Sequence, residues 1–360
     1  MEANARKEFY DPFKIQFWIM RILGFFICCL LLFSCRKEKD TDIQTIENGR
    51  SRVVILNEGN FRSANASIDV YYPDNHELQD NIFYSNNDFR PLGDVAQSMI
   101  KLNGEYWVVI NNSNKIEILD PVTFQSKGKM TGFNSPRYVL PISENKAYVS
   151  DLYENKIYIV DPLNRNHLSS IDCGSRSEEM LLYDGKAFVC MPDLGKVLVY
   201  DVATDSLIRS INTGEFPHAI EIDSKQQIWV AYSGGFNGTF PGLHKIDPLS
   251  LEIKKDLRWN DASKSIGDIA MNRERNQIYY VMDDLFVLNI EDSVLASSPL
   301  IDNDGRNFYS MATDPNTGDI YLADAIDYQQ KGNIYRYSVS GALIHQFKSG
   351  LIPGFFYFDQ

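Results

Sequence analysis

The stretch AYVSDLYENKIYIVDP, Ala147 to Pro162, decides how this chain folds. Three apolar residues, Ala147, Tyr148 and Val149, lead into a polar loop carrying Asp151, Tyr153 and Asn155. An alternating run through Ile157, Ile159 and Asp161 then stops at proline. Two short β-prone runs around turn residues make a hairpin. The pattern returns as EYWVVINNSNKIEILDP (105–121), KAFVCMPDLGKVLVYD (186–201) and QIWVAYSGGFNGTFPGLHKIDP (227–248), and in weaker form at 52–73, 277–290 and 319–337. With Val54, Trp107, Tyr148, Phe188, Trp229, Tyr279 and Tyr321 taken as equivalent, the repeat advances by about 40 to 53 residues. Seven such units, rich in alternating β-branched and aromatic residues, predict an all-β, seven-bladed β-propeller and not a helical solenoid.

The first unit starts directly with its second strand at Arg52, without the inner strand that precedes the other hairpins. At the far end, Ile352 to Phe358 (IPGFFYF) is an orphan strand with no hairpin after it. Pairing this C-terminal strand with the N-terminal blade closes the ring and removes two sheet edges. The propeller therefore occupies 52–360.

Residues 1–34 fall outside that repeat. Ile22 to Phe33 is almost wholly apolar, too short to span a bilayer, and runs into Leu32-Phe33-Ser34-Cys35. This reads as a lipoprotein signal peptide cut before Cys35, which then carries the lipid; an uncleaved signal anchor is the alternative. The segment MRILGFFICCLLLFSC, from Met20, is a complete short signal peptide by itself, which makes Met20 an alternative start. Arg36 to Ser51 is polar, charged and without apolar period, so 35–51 reads as a flexible tether. Cys173 and Cys190 are the two cysteines in the propeller; they fall on neighbouring units and are expected to be buried free thiols and not a disulfide.

A formal net charge of -13, with no Lys/Arg cluster after the N-terminus, argues against nucleic acid as a partner. The chain holds no GxSxG, no CxxC and no Gly-rich phosphate loop, and of its five histidines only His218 falls at a site position. No catalytic residue, metal site or cofactor is expected on this basis.

In a propeller, the loop before each inner strand and the loop inside each hairpin open on one face. Aligning the inner strands places Asp94, Arg137, Glu179, His218, Asp268, Ser310 and Phe355 around the channel mouth. The hairpin loops add Asn57, Glu58, Asn60 and Phe61, then Asn111 and Asn112, Asp151 and Tyr153, Phe236, and Tyr328. Asn and Asp are also ordinary turn formers that satisfy their own backbone. Aromatic rings in loops point more strongly to a ligand. The carboxylates among these residues offer oxygen ligands for calcium, against which stand Arg137 and their spread around the ring.

The segments NEGN (57–60), LGDVAQSM (92–99), VVINNSNKIEILDP (108–121), NSPRYVLPI (134–142), SDLYENKIYIVDP (150–162), SEEMLL (177–182) and the ending IYRYSVSGALIHQFKSGLIPGFFYF (334–358) together resemble the YncE-like Bacteroidetes surface lipoproteins related to BtuG. Arg62-Ser63-Ala64 and the acidic pair Glu178-Glu179 depart from that pattern. The resemblance implies a vitamin B12-binding propeller: a corrinoid (cobalamin) as ligand, a BtuB-type TonB-dependent transporter as partner, and a lipid-anchored place on the outer membrane facing the cell exterior. A corrinoid offers a flat ring for aromatic stacking, carboxamide edges for Asn and Asp, and a phosphate that Arg137 could meet. Sugars offer similar handles. A glycan-binding or adhesion propeller and a calcium-dependent, lactonase-like hydrolase stand as the alternatives.

Overall fold

The computed structural model describes residues 50–235 and 238–359. Cys35 and Phe236, the expected lipidation site and one expected ligand contact, lie outside the described residues. Seven antiparallel sheets follow one another around a ring; blade 6 has three strands and the others four. Blades 2 to 7 begin with inner strands at Ala96–Leu102, Pro136–Ser143, Met180–Tyr183, Pro217–Ile222, Ile269–Met271 and Phe308–Thr313.

Blade 1 is assembled from both ends of the propeller, in the order Pro353–Asp359, Arg52–Asn57, Ser67–Tyr72, Glu77–Gln79. The closing strand pairs Val54 with Tyr357 and Leu56 with Phe355. It begins one residue later than the sequence suggests because Ile352 takes a left-handed φ of 54°, which breaks the chain away from the preceding strand Leu343–Leu351. A buried cluster locks it. Arg52 bonds to Asp359, to the Tyr106 hydroxyl at 3.0 Å and to the Pro121 carbonyl at 2.9 Å. Tyr106 also donates to Asp359, and Lys101 reaches its other oxygen at 2.8 Å. Burial alone would raise the Asp359 carboxyl, but these donors and the Arg52 charge hold it below its ordinary value.

The seven residues that define the repeat are all buried. They sit on second strands sandwiched between neighbouring blades, which is why those strands read as nearly unbroken apolar runs. Trp107 packs with Ala147, Val149 and Tyr158 between blades 2 and 3, and Trp229 with Ile269, Ile278 and Tyr280 between blades 5 and 6. Cys173 and Cys190 are buried free thiols, and burial pushes the Cys173 thiol up to about 11. Among the described residues no helix is long and apolar enough to cross a membrane.

On the face away from the hairpin loops, the turns after the third strands repeat one device. Asp120, Asp161, Asp201 and Asp247 each accept backbone N–H bonds from two and three residues ahead, at 2.8–3.2 Å. Those bonds favour the charged carboxylate, and all four sit below their ordinary values.

Candidate functional site

Each inner strand begins with a β-bulge, in which two residues stand opposite one residue of the second strand. The register skips Gln97 between Ala96 and Ser98, Arg137 and Tyr138 between Pro136 and Val139, His218 between Pro217 and Ala219, and Tyr309 between Phe308 and Ser310. Gly354 is skipped in the closing strand. In blade 4 the Glu178 N–H donates to the Cys190 carbonyl while the Cys190 N–H donates to Glu179; Gly267 and Asp268 do the same against Val281 in blade 6.

A bulge turns its first residue out of the sheet alternation, and here that residue turns into the central channel. Gln97, Arg137, Glu178, His218 and Tyr309, with Gly267 and Gly354, all line one cavity of about 510 Å³. The second bulge residues Tyr138, Glu179, Asp268, Ser310 and Phe355 line it as well, while Ser98 instead donates to the Arg137 carbonyl at 2.6 Å. Of the aligned column, Arg137 and His218 are therefore first-position residues, and Glu179, Asp268, Ser310 and Phe355 second-position ones. Asp94 is a slip of three residues: the channel residue of blade 2 is Gln97. An extra residue per strand defeats a pattern that counts in twos, which hides Tyr138, Glu178 and Tyr309 beside Arg137, Glu179 and Ser310. Glu221, further along the blade 5 inner strand, carried no such signal.

Arg137 is the cation of this channel. Its Nε donates to Glu178 at 2.8 Å and its Nη1 to Gln97. Burial works against its charge, and Glu178, Tyr138 and Glu58 outweigh it. The carboxyls around it behave otherwise. Glu58 is raised by burial although both its oxygens lie 3.0 Å from the Tyr309 hydroxyl, which shares its one proton between them. Burial, reinforced by Asp268, holds Glu179 well above the usual carboxylate range, and its bond from the Ile220 N–H at 3.1 Å recovers only part. Burial pushes Asp268 up to about 6, against backbone bonds from Met311 and Ile269 and the proximity of His218. Burial also raises Glu221, against its 2.7 Å pair with Arg275. These groups line the channel cavity and are ringed by protein, which disfavours their charged forms and raises them above the range of exposed acids. A protonated carboxyl donates a hydrogen bond as well as accepting one.

The hairpin loops divide into two sets. Phe61 and Tyr153 are 58% and 64% exposed, and Tyr328 is exposed with its ring edge-on to Tyr309 at 5.8 Å. Asn60 donates to the Tyr328 carbonyl at 2.5 Å, joining the loops of blades 1 and 7. Asn112 donates to Asp94 at 2.5 Å, and Asp94 also accepts the Arg62 N–H at 2.8 Å. The second set corrects the sequence reading. Asn57 is buried and bonded to Ser67, Ser349 and Gly350. Asn111 donates to the Pro136 carbonyl at 3.0 Å. Asp151 is buried and accepts the N–H groups of Asn134, Ser135, Tyr153 and Glu154. With Asp94, whose Oδ2 accepts from Arg62 and Asn112, these buried residues hold the loops together; short polar side chains in turns bond nearby backbone first. Among the described residues no group of three or more His, Cys, Asp or Glu is placed to hold a metal ion.

Similarity to known proteins follows the fold. Many solved structures share the architecture, three of them as follows. A quinonprotein alcohol dehydrogenase-like protein from Bacteroides thetaiotaomicron is 14% identical over 86% of this chain and 78% of its own, with a TM-score of 0.68. A periplasmic gluconolactonase from Pseudomonas aeruginosa is 10% identical over 86% and 98%, with a TM-score of 0.65. A functionally unknown protein from Desulfotomaculum acetoxidans is 13% identical over 86% and 98%, with a TM-score of 0.63. At such identities the likeness is one of fold alone. No curated protein matches the chain in sequence. Residues 52–358, the whole ring from its first strand to its closing one, match the family described as a domain of unknown function, DUF5074, and the chain belongs to that family.

Proposed function

We propose that the hairpin-loop face binds a corrinoid such as cobalamin and that the protein, anchored through a lipid on Cys35, passes it to a BtuB-type TonB-dependent transporter of the outer membrane. The observation that carries this reading is the pairing of a polar channel mouth, lined by a different residue from each blade, with exposed rings at Phe61, Tyr153 and Tyr328 on loops of the same face. A corrinoid is too large for the channel cavity, so its disc would lie across the mouth. The aromatic loops would then meet its flat face, and the channel acids, Gln97 and Arg137 its carboxamide edge. The ligand's identity rests on the resemblance to BtuG-related lipoproteins; the face itself rests on geometry.

Calorimetric titration of the purified propeller with cyanocobalamin, run beside a panel of host glycans, tests the reading. Saturable heat with the corrinoid alone is expected. Heat with a glycan and none with the corrinoid would move the assignment to a glycan-binding propeller on the same face. The anchoring step is tested separately: Cys35→Ala should leave the precursor uncleaved and without lipid by mass spectrometry.

A further inference from the structure

Where the ring closes, blades 7 and 1 build a corner of two aromatic rings and one carboxyl. Tyr309, the bulge residue of the blade 7 inner strand, and Tyr328, on the hairpin loop of the same blade, meet at 83° with their centroids 5.8 Å apart. Both rings are exposed. Tyr328 is held at a left-handed φ of 62°, uncommon for an aromatic residue, and its carbonyl accepts the Asn60 side-chain amide of the blade 1 loop at 2.5 Å. The backbone that carries the ring is therefore tied to the next blade.

Glu58 supplies the carboxyl. Both its oxygens lie 3.0 Å from the Tyr309 hydroxyl, and its N–H donates to the Ile352 carbonyl at 2.8 Å. A Cβ on Gly354 would stand 2.5 Å from Glu58 Oε1, so the glycine at this bulge leaves the space that the carboxyl fills. Among the described residues no Lys, Arg or His forms an ion pair with Glu58, and the channel's cation, Arg137, is taken by Glu178 at 2.8 Å. Burial outweighs the Tyr309 bond and the more distant charge of Arg137, so Glu58 stays raised and lacks a close counter-charge. The faces of two perpendicular tyrosines attract a cation, most readily one that is weakly hydrated, and a carboxyl short of a partner at their edge adds to the attraction. The net charge of -13 draws cations to the chain.

We infer that this corner binds a quaternary alkylammonium group. It needs no corrinoid, although it shares Tyr328 and Glu58 with the face proposed for one. The protein is titrated calorimetrically, at constant ionic strength, with choline, with phosphocholine and with dimethylbutanol, the uncharged carbon isostere of choline. Saturable heat with choline is expected, with the isostere at least about tenfold weaker. Tyr328→Leu, which keeps apolar bulk, and Glu58→Gln should each weaken choline about tenfold, while Tyr328→Phe, which keeps the ring, stays within about twofold. Choline tighter than phosphocholine assigns a free cation, and the reverse a phosphocholine headgroup. No choline binding by wild type, equal binding of the isostere, equal loss in Tyr328→Phe and Tyr328→Leu, or unchanged binding in Tyr328→Leu or a folded Glu58→Gln overturns the inference. Should Glu58→Gln lose its fold by circular dichroism, the contrast between Tyr328→Leu and Tyr328→Phe, at an exposed ring, decides the matter. Each of these outcomes is independent of the cyanocobalamin titration, so the two readings fail separately.

Discussion

The two faces of this propeller use the same residue types to opposite ends. On one face Asp120, Asp161, Asp201 and Asp247 repeat a single turn, each carboxylate fed by its own backbone N–H groups and held below its ordinary value. In the channel Glu58, Glu179, Glu221 and Asp268 are all raised by burial, and Asp268 adds repulsion at Glu179 and Glu221. The turn carboxylate recurs in blades 2 to 5, whereas the first bulge residues are of six types in seven blades, with only glycine, at Gly267 and Gly354, occurring twice. Repetition marks what holds the ring together; divergence at equivalent positions marks what a ligand could read.

The strongest way to break this comparison is to open the scaffold. Truncation before Ile352 strips blade 1 of its inner strand, exposes a long edge and removes Phe356 and Asp359 from buried positions. It should cost on the order of 5 kcal/mol or more, seen as loss of a single cooperative unfolding transition. Asp359→Ala, which leaves Arg52 buried without its counter-charge, should cost about 3–5 kcal/mol by denaturant unfolding. Unchanged melting in the truncated protein would refute the closure.

Next come the exposed rings. Phe61→Ala and Tyr153→Ala should each weaken cyanocobalamin by about 1–3 kcal/mol in calorimetry while leaving the melting temperature in place. An effect on stability without one on binding would make them scaffold.

The carboxyls give a pH signature with opposite signs on the two faces. Asp268 binds its proton more tightly folded, at about 6, than unfolded, at its ordinary 3.8. Its contribution to stability is therefore full below the unfolded value and lost as pH rises through about 6. Asp120, held below its ordinary value, contributes above the unfolded value and loses that contribution as pH falls through its lower folded one. Melting temperatures measured from pH 7 to pH 4 should show Asp268→Asn missing a gain that the wild type makes on acidification. Parallel curves for the two proteins would place Asp268 outside the channel's electrostatics.

The smallest effect belongs to a single repeated turn. Asp161→Ala should lower the melting temperature by roughly 2 °C, and neither it nor a change at Asn145 or Asp184 in the other turns of that face should alter corrinoid binding. A binding defect there would mean that both faces take part.

The repeat by itself determined the number of blades, their order and the closing strand. Unbroken apolar runs such as IYIV (157–160) must be buried on both sides, and a unit without an inner strand must borrow one. Asn57, Asn111 and Asp151 were legible as turn formers but not as buried ones, because burial depends on segments distant in sequence, such as Ser349 and Gly350 of the strand Leu343–Leu351 beside Asn57. Only the tertiary structure decided which residue of each inner strand meets the channel. A bulge is a local shift of one residue that leaves no mark in a pattern of period two, so Tyr309 and Ser310, or Glu178 and Glu179, are indistinguishable until the strands pair. The upward shift of the channel acids likewise arises only when the ring buries them among groups from several blades.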